Sequence, residues 1–253
     1  MRVLDLFSGI GGMSLGLERA GMQTVAFCEI EEFPRRVLAK HWPEVPCYED
    51  VRSLTADRLS ADGITIDAIA GGFPCQDASV ANVTNRNGIN GERTGLWREI
   101  ARLASALRPE FILLENVPGL LSSGFGRVLG DLAEIGYDAE WRVIPALSAG
   151  LPHRRERLWV VAYPSGSGLS RPVSGKSILE SAEAALPLIG DEASGSWSSL
   201  DARLGGLRGR DGIRVGMDRP RIKACGNSVV PQIPEAIGRA IMAAMQPAMQ
   251  AAE

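Results

Sequence analysis

The segment RVLDLFSGIGG, residues 2–12, combines an apolar run, a cluster of glycines and the start of a helical pattern. The apolar run predicts a buried strand, and the glycines permit a sharp turn after it. Apolar residues then recur at helical spacing through Met13, Leu15 and Leu17, and Gly21 ends the helix. Backbone N–H groups at such a turn suit an anionic or polar cofactor. The segment therefore predicts an α/β fold with a ligand at the end of the first strand.

Two acidic residues follow later strands of the same predicted sheet. Residues 24–28 predict the second strand, which ends in Glu29, where this architecture binds the ribose hydroxyls of a nucleoside cofactor. Asp50 ends a possible third strand. The dinucleotide fingerprint GxGxxG fails because Ser14 replaces its third glycine, which disfavours a nicotinamide oxidoreductase. The glycine turn and the two acids together predict a nucleoside pocket.

A cysteine follows the next predicted strand. Residues 64–70, ITIDAIA, predict a buried strand, and GGFPCQ at 71–76 places Cys75 at the sheet edge where ligands bind. The glycines permit close approach of a ligand, and Pro74 fixes the backbone beside the thiol. Residues 77–93 are polar and predict a mobile loop. A lone cysteine is more often inert and buried, so its role depends on its neighbours.

Those neighbours are a carboxylate and two arginines. Residues 110–114 predict a strand that delivers Glu115 and Asn116 to the same edge, where a carboxylate can exchange a proton beside a nucleophile. Arg155 and Arg157 alternate before another predicted strand, so they share one face and suit a phosphate or a carboxylate. The four cysteines form no CxxC pair and no metal-ligand pattern with the two histidines. We therefore expect reduced thiols and no metal.

Charge is distributed unevenly along the chain. The net charge is −3, yet residues 141–225 hold 13 Lys/Arg against 8 Asp/Glu, and seven of the basic residues lie within 203–223. This concentration fits contact with phosphates, although a solvated loop has the same composition. Residues 164–221 are rich in Ser, Gly and Arg and predict an insertion, in which only 178–188 is helical. A closing helix is predicted over 234–245.

Length and composition favour one cytoplasmic domain with a small lobe. The 253 residues are 45% apolar and 23% charged, which is ordinary for a globular protein. No stretch approaches about 18 uninterrupted apolar residues, and the chain starts directly with a strand, so export and membrane insertion are not expected.

Five motifs in order make the chain resemble the DNA cytosine-5 methyltransferase family. The matching segments are DLFSGIGG (5–12), PCQ (74–76), ENV (115–117), RER (155–157) and GNSVVP (226–231). The resemblance implies a Rossmann-like, doubly wound, mostly parallel S-adenosylmethionine-dependent methyltransferase fold. It also implies a catalytic domain over 1–163 plus 226–253 and a reduced target-recognition lobe over 164–225.

The resemblance assigns roles to individual residues. It implies S-adenosylmethionine as cofactor, S-adenosylhomocysteine as product and no metal. The implied catalytic residues are Cys75, Glu115, Asn116, Arg155 and Arg157. The implied cofactor-binding residues are Phe7, Gly9, Gly11, Gly12, Glu29, Ile30, Asp50, Val51, Pro74, Leu96, Asn227, Ser228 and Val229. The implied DNA contacts are Ser79, Arg93, Arg208 and Arg210.

The implied chemistry explains these residue types. The Cys75 thiolate adds to C6 of a flipped-out cytosine, so that C5 can attack the methyl group. Glu115 shares its proton with ring N3 and offsets the charge that develops there, while Arg155 steadies the thiolate or the base. Three departures from the family pattern stand out: His153 replaces a usual Gln, Ile30 replaces a frequent aromatic, and the 163–226 segment is short.

The implied partner is double-stranded DNA, bound by a monomeric, nucleoid-associated enzyme, either with a cognate restriction nuclease or without one, as in orphan and phage-type enzymes. The short lobe predicts a sequence specificity that is relaxed, very short or dependent on a partner. Two alternatives stay open: a tRNA cytosine-5 methyltransferase of related fold, and a catalytically silent nucleic-acid-binding relative.

Overall fold

The structure is a computed structural model that describes residues 1–74, 94–167, 175–194 and 219–250. Five predicted site residues lie outside these ranges: Cys75, Ser79, Arg93, Arg208 and Arg210. No helix within the described ranges is both long enough and apolar enough to cross a membrane.

A central sheet organises the described residues. Its strand order is β3-β2-β1-β4-β5-β7-β6. The strands are β1 (Arg2–Leu6), β2 (Gln23–Cys28), β3 (Cys47–Tyr48), β4 (Ala68–Gly71), β5 (Phe111–Asn116), β6 (Tyr137–Pro145) and β7 (Glu156–Pro164). Strands β1 to β5 pair in parallel, whereas β7 runs antiparallel to both β5 and β6. The predicted α/β fold with a mostly parallel sheet is confirmed.

Helices connect the strands and cover both faces of the sheet. They are α1 (Gly12–Arg19), α2 (Glu32–His41), α3 (Ala56–Ala61), α4 (Trp97–Leu107), α5 (Phe125–Glu134), α6 (Ile178–Ser194), α7 (Arg219–Asn227) and α8 (Gln232–Gln250). Short 3₁₀ turns occupy Thr94–Leu96, Pro118–Ser122 and Ala146–Ala149. The fourth strand is shorter than predicted, because pairing with β1 covers only Ala68–Gly71.

Alternate residues of the central strands contribute to two separate hydrophobic cores. Leu4, Leu6 and Leu114 belong to one core, which includes buried residues of α4 and α5. Val3 and Leu113 face the other core, which includes buried residues of α1, α6 and α8. Because side chains alternate along a strand, a strand buried on both faces is apolar throughout. This burial explains the continuous apolar runs in the sequence.

The closing helix α8 packs directly on α1. A Cβ on Gly238 would lie 2.8 Å from Cβ of Ala20, and one on Gly16 would lie 2.6 Å from Cγ of Pro234. Only glycine allows these close approaches. This packing brings the C-terminal motif around residue 228 back to the N-terminal half of the sheet.

Helix α6 begins where the sequence predicts it and extends to Ser194. Ile178, Leu179, Ala182 and Leu186 are buried in the second core, alongside residues of α8. This part of the predicted recognition lobe therefore packs on the same core as the sheet. The division into domains at 163 and 226 stays a prediction.

Candidate active site

A cavity of ≈ 460 Å³ opens at the C-terminal ends of the parallel strands. Twelve of the predicted site residues line it: Phe7, Gly9, Gly12, Glu29, Ile30, Pro74, Glu115, Asn116, Arg157, Asn227, Ser228 and Val229. The lining also includes residues to which the sequence assigned no role in this cavity, among them Asp5, Glu31, Phe33 and Lys223, as well as Gly72. A cavity of this size suits a ligand of nucleoside dimensions.

The glycine turn and Glu29 form one end of the cavity. Phe7 and Gly9 have φ values of +56° and +54°, in the left-handed region. The backbone N–H of Gly9 donates to Oε2 of Glu29 at 2.8 Å, and the N–H of Glu31 donates to Oε1 at 2.7 Å. Nothing lies within 4 Å of the position that a Cβ on Gly9 would occupy. Two backbone donors thus fix the Glu29 carboxylate beside an open surface of the turn.

A second carboxyl group lies beneath the turn. Asp5, at 1% exposure, accepts a 2.6 Å hydrogen bond from Oγ of Ser14. Burial raises the pKa of Asp5 to about 7, the Ser14 hydrogen bond opposes this rise, and the nearby Glu29 adds to it. Ser14 is the residue that breaks the dinucleotide fingerprint, and the structure shows its role as a partner for this buried acid. A lone acid within the apolar run of β1 was the available signal in the sequence.

The opposite end of the cavity holds Glu115. Nε of Arg157 lies 2.8 Å from Oε1 of Glu115, and a Cβ on Gly72 would lie 2.8 Å from Oε2. Glu115 is 8% exposed. Burial raises the pKa of Glu115, whereas the positive charges of Arg157 and Arg155 oppose the rise. The acid is therefore enclosed, oriented by an arginine and packed over the backbone that leads to Pro74.

Asn116 locks the backbone of that same segment. Its Nδ2 donates to the carbonyl of Phe73 at 3.1 Å, and its Oδ1 accepts from the N–H of Val117 at 2.8 Å. Asn116 is buried at 5% exposure. Because buried polar groups are costly without partners, both bonds satisfy this side chain, and the bond to Phe73 fixes the end of β5 against the residues that precede Cys75.

The two arginines of the pair have different partners. Arg157 contacts Glu115, whereas Nη2 of Arg155 donates to the carbonyls of Gly226 and Ser228 at 2.7 and 2.5 Å. The sequence placed both on one face but did not show this difference. Burial, together with the two arginine charges, lowers the pKa of the nearby His153.

The remaining predicted cofactor residues do not line this cavity. Gly11 packs under Trp42, since a Cβ there would lie 2.6 Å from its ring. Asp50 accepts hydrogen bonds from the backbone N–H and Nε of Arg52. Val51 is buried in the first core, and Leu96 packs against that core. Their cofactor roles stay predictions.

The sheet order, the glycine turn and the site at the strand ends together define a Rossmann-like fold of the S-adenosylmethionine-dependent methyltransferase type. The chain belongs to the C-5 cytosine-specific DNA methylase family, whose sequence model matches residues 1–193. The resemblance inferred from the five motifs is thereby confirmed.

Curated relatives support this membership. The type II methyltransferase M2.BsuMI of Bacillus subtilis is 38% identical over 170 residues, which are 64% of this chain and 42% of the relative. M.Eco47II of Escherichia coli is 40% identical over 166 residues, which are 63% of this chain and 39% of the relative. The chain thus spans about two fifths of the length of these relatives.

Solved structures share the fold at low sequence identity. A protein encoded in an Escherichia coli prophage has a TM-score of 0.65 at 19% identity, over 96% of this chain and 98% of that one. The methyltransferase EhMeth of Entamoeba histolytica has a TM-score of 0.58 at 16% identity, over 100% of this chain and 99% of that one.

Proposed function

We propose that this protein transfers a methyl group from S-adenosylmethionine to C5 of a flipped-out cytosine in double-stranded DNA. The observation that carries the proposal is the buried Arg157–Glu115 pair at the inner end of the cavity, beside the Gly72–Pro74 backbone. This arrangement puts an oriented proton donor next to the segment that leads into Cys75. Family membership supplies the reaction type.

The residues of the cavity fit S-adenosylmethionine. The cofactor carries ribose hydroxyls, an adenine ring and positive charge near the reacting methyl group. Glu29 offers a carboxylate held by two backbone donors, and Ile30, which lines the cavity at 60% exposure, offers an apolar surface for the ring. When bound, the cofactor supplies the activated methyl group.

Glu115 assists the covalent step. As the Cys75 thiolate forms a bond to C6, negative charge develops on the cytosine ring at N3 and the C5 position becomes nucleophilic. A proton held by Glu115 offsets this charge, and its raised pKa favours retention of that proton. After C5 gains the methyl group, a base removes the C5 proton, the S–C6 bond breaks and the thiolate is regenerated.

Arg157 and Asn116 preorganise this chemistry. Arg157 orients the carboxyl group of Glu115, and Asn116 holds the Phe73 carbonyl, so the acid at the end of β5 and the residues that precede Cys75 are held together. Such preorganisation lowers the reorganisation needed in the transition state. Neither residue needs to move when the base arrives.

Contact with DNA is assigned to the residues implied by the family and to the basic segment 203–223. Ser79 and Arg93 are proposed to contact the backbone around the flipped base, and Arg208 and Arg210 to neutralise phosphates. We propose that the protein acts as a monomer, either with a cognate nuclease or as an orphan enzyme.

The proposal is tested by transfer of labelled methyl groups. Wild type, Cys75→Ser and Glu115→Gln are each incubated with S-adenosylmethionine and unmodified duplex DNA or tRNA, and 5-methylcytosine is mapped at base resolution. We expect label on DNA at defined cytosines with wild type, much less with Glu115→Gln and none with Cys75→Ser. Label on tRNA alone would assign the alternative substrate, and no label despite bound cofactor would identify a silent relative.

A covalent trap tests the mechanism separately. Duplex DNA with 5-fluorocytosine at a mapped target site blocks loss of the C5 substituent, so the adduct with the enzyme persists. We expect a mass increase at the peptide containing Cys75, and none with Cys75→Ser. An adduct at another residue would refute the assigned nucleophile.

A further inference from the structure

Residues 226–229 form one wall of the cavity and join α7 to α8. Gly226, Asn227, Ser228 and Val229 all line it. Gly226 and Ser228 lie 71 and 73 residues beyond Arg155 in the sequence, yet their carbonyls accept hydrogen bonds from the Arg155 guanidinium. The contact therefore joins the start of β7 to the wall.

A guanidinium group is a favourable partner for the C-terminal end of a helix. The last carbonyls of a helix lack intrahelical partners and carry partial negative charge, so a cation near them is favoured. Helix α7 ends at Asn227, and one nitrogen of Arg155 bridges carbonyls on both sides of that residue. This bridge fixes the direction in which the chain leaves the helix.

The wall also packs closely against the glycine turn. A Cβ on Gly12 would lie 2.6 Å from Oγ of Ser228 and 2.8 Å from the carbonyl oxygen of Val229. The segment thus lies between the turn on one side and Arg155 on the other. Loss of the Arg155 contact would remove one of these two supports.

An ion pair formed by the middle of α7 also holds this helix in place. Nζ of Lys223 lies 2.6 Å from Oε1 of Glu31, and the backbone N–H of Glu31 donates to Glu29. Helix α7 is therefore tied both to the segment that follows β2 and carries Glu29, and to Arg155, which immediately precedes β7.

We propose that Arg155 is a positioning residue for the cofactor wall, whereas its neighbour Arg157 acts on Glu115. The proposal rests on the proposed function and assigns each arginine of the pair to a different ligand: Arg155 to the cofactor and Arg157 to the reacting base. This differs from the role at the thiolate or the base that the family resemblance implies.

The test separates binding from chemistry. Affinity for S-adenosylhomocysteine is measured by calorimetry without DNA, and the methyl-transfer rate by single turnover on duplex DNA at saturating cofactor. For Arg155→Gln we expect the dissociation constant to rise about tenfold, because charge-assisted bonds to the wall are lost. The single-turnover rate should fall less than in Arg157→Gln, because Arg155 acts on Glu115 only through its charge. For Arg157→Gln, the matched control, we expect an affinity within about twofold of wild type and the larger loss of rate.

A second readout does not depend on the cofactor. Hydrogen exchange of the amides at 224–230 is measured in the cofactor-free protein. We expect faster exchange in Arg155→Gln than in wild type, and no change there in Arg157→Gln. Arg155→Lys keeps the charge but lacks the planar fork, so it should show intermediate affinity and exchange, and it replaces the Gln variant should that one fail to fold.

Unchanged cofactor affinity and unchanged exchange in both Arg155 variants, with a large loss of single-turnover rate, would overturn the proposal and assign Arg155 to the reacting groups. Failure of wild type to bind S-adenosylhomocysteine would instead refute the proposed function. The two failures are therefore distinguishable.

Discussion

Replacement of Asp5 by Asn should change the pH dependence of stability. Asp5 is buried beneath the glycine turn, with Ser14 as its hydrogen-bond donor. Burial raises its pKa from 3.8 to about 7. The folded protein therefore keeps a proton that the unfolded chain releases.

The size and sign of the effect follow from linkage. Between about pH 4 and pH 7 the folded state binds more protons at this site, so the free energy of unfolding falls as the pH rises. Above about pH 7 both states are ionised and the contribution is constant. One pKa unit corresponds to about 1.4 kcal/mol, so the shift costs about 4 kcal/mol in total and about 2–3 kcal/mol between pH 5 and pH 8.

Asn at this position cannot ionise, and its Oδ1 can still accept from Ser14. We expect Asp5→Asn to be more stable than wild type at pH 8, with a difference that shrinks by about 2–3 kcal/mol at pH 5. Urea unfolding at half-unit pH steps measures it, with the slopes compared to confirm two-state behaviour. The exposed Glu44→Gln controls for loss of charge alone. A wild-type-to-variant difference that is independent of pH would refute the buried, proton-retaining Asp5.

Three further predictions concern packing, positioning and proton transfer. Gly16→Ala should lower the free energy of unfolding by about 2 kcal/mol, since its Cβ would clash with Pro234 and the backbone of residue 235. The control, Gly130→Ala at an exposed position of α5, should raise the free energy of unfolding by about 0.5–1 kcal/mol. Equal effects of the two substitutions in urea unfolding would contradict the close helix contact. Asn116→Asp removes the donor to the Phe73 carbonyl, so we expect at least about 1 kcal/mol of destabilisation and slower 5-fluorocytosine trapping with unchanged S-adenosylhomocysteine affinity. Faster trapping would exclude the positioning role. Because the protonated form of Glu115 assists the covalent step, the single-turnover rate of wild type should fall as the pH rises through the raised pKa of Glu115. Glu115→Gln should flatten this alkaline limb of the pH–rate profile. An unchanged pH profile in the variant would assign the limb to another group.

The positions of most strands and the sheet edge that carries the site were predictable because their signals are local. Apolar runs that end in glycine, glutamate or the Glu115–Asn116 pair marked successive strand ends, and parallel strands bring those ends together. The end of a helix was less predictable: α6 extends to Ser194, beyond the predicted residue 188, where the apolar periodicity weakens. Helix ends depend on packing as well as on pattern.

Ser14 illustrates a role that the pattern concealed. In the sequence, Ser14 is notable only because it replaces the third glycine of the dinucleotide-binding fingerprint. The structure shows that its hydroxyl donates a hydrogen bond to Asp5. The need for that bond arises from burial of Asp5 between neighbouring strands, which no window of local sequence records. The motif likewise predicts a cofactor role for Gly11, whereas the structure packs it against Trp42, the residue that follows α2 and lies outside the motif.

The sequence by itself determined the α/β class, the order of the motifs and the sheet edge at which Glu29 and Glu115 both lie, because strand periodicity and turn chemistry act over a few residues. Only the tertiary structure decided that Arg157 pairs with Glu115 while Arg155 holds the carbonyls of residues 226 and 228. Two arginines separated by one residue carry the same local signal. Their different partners depend on where distant parts of the chain pack, and that is set by burial across the whole sheet.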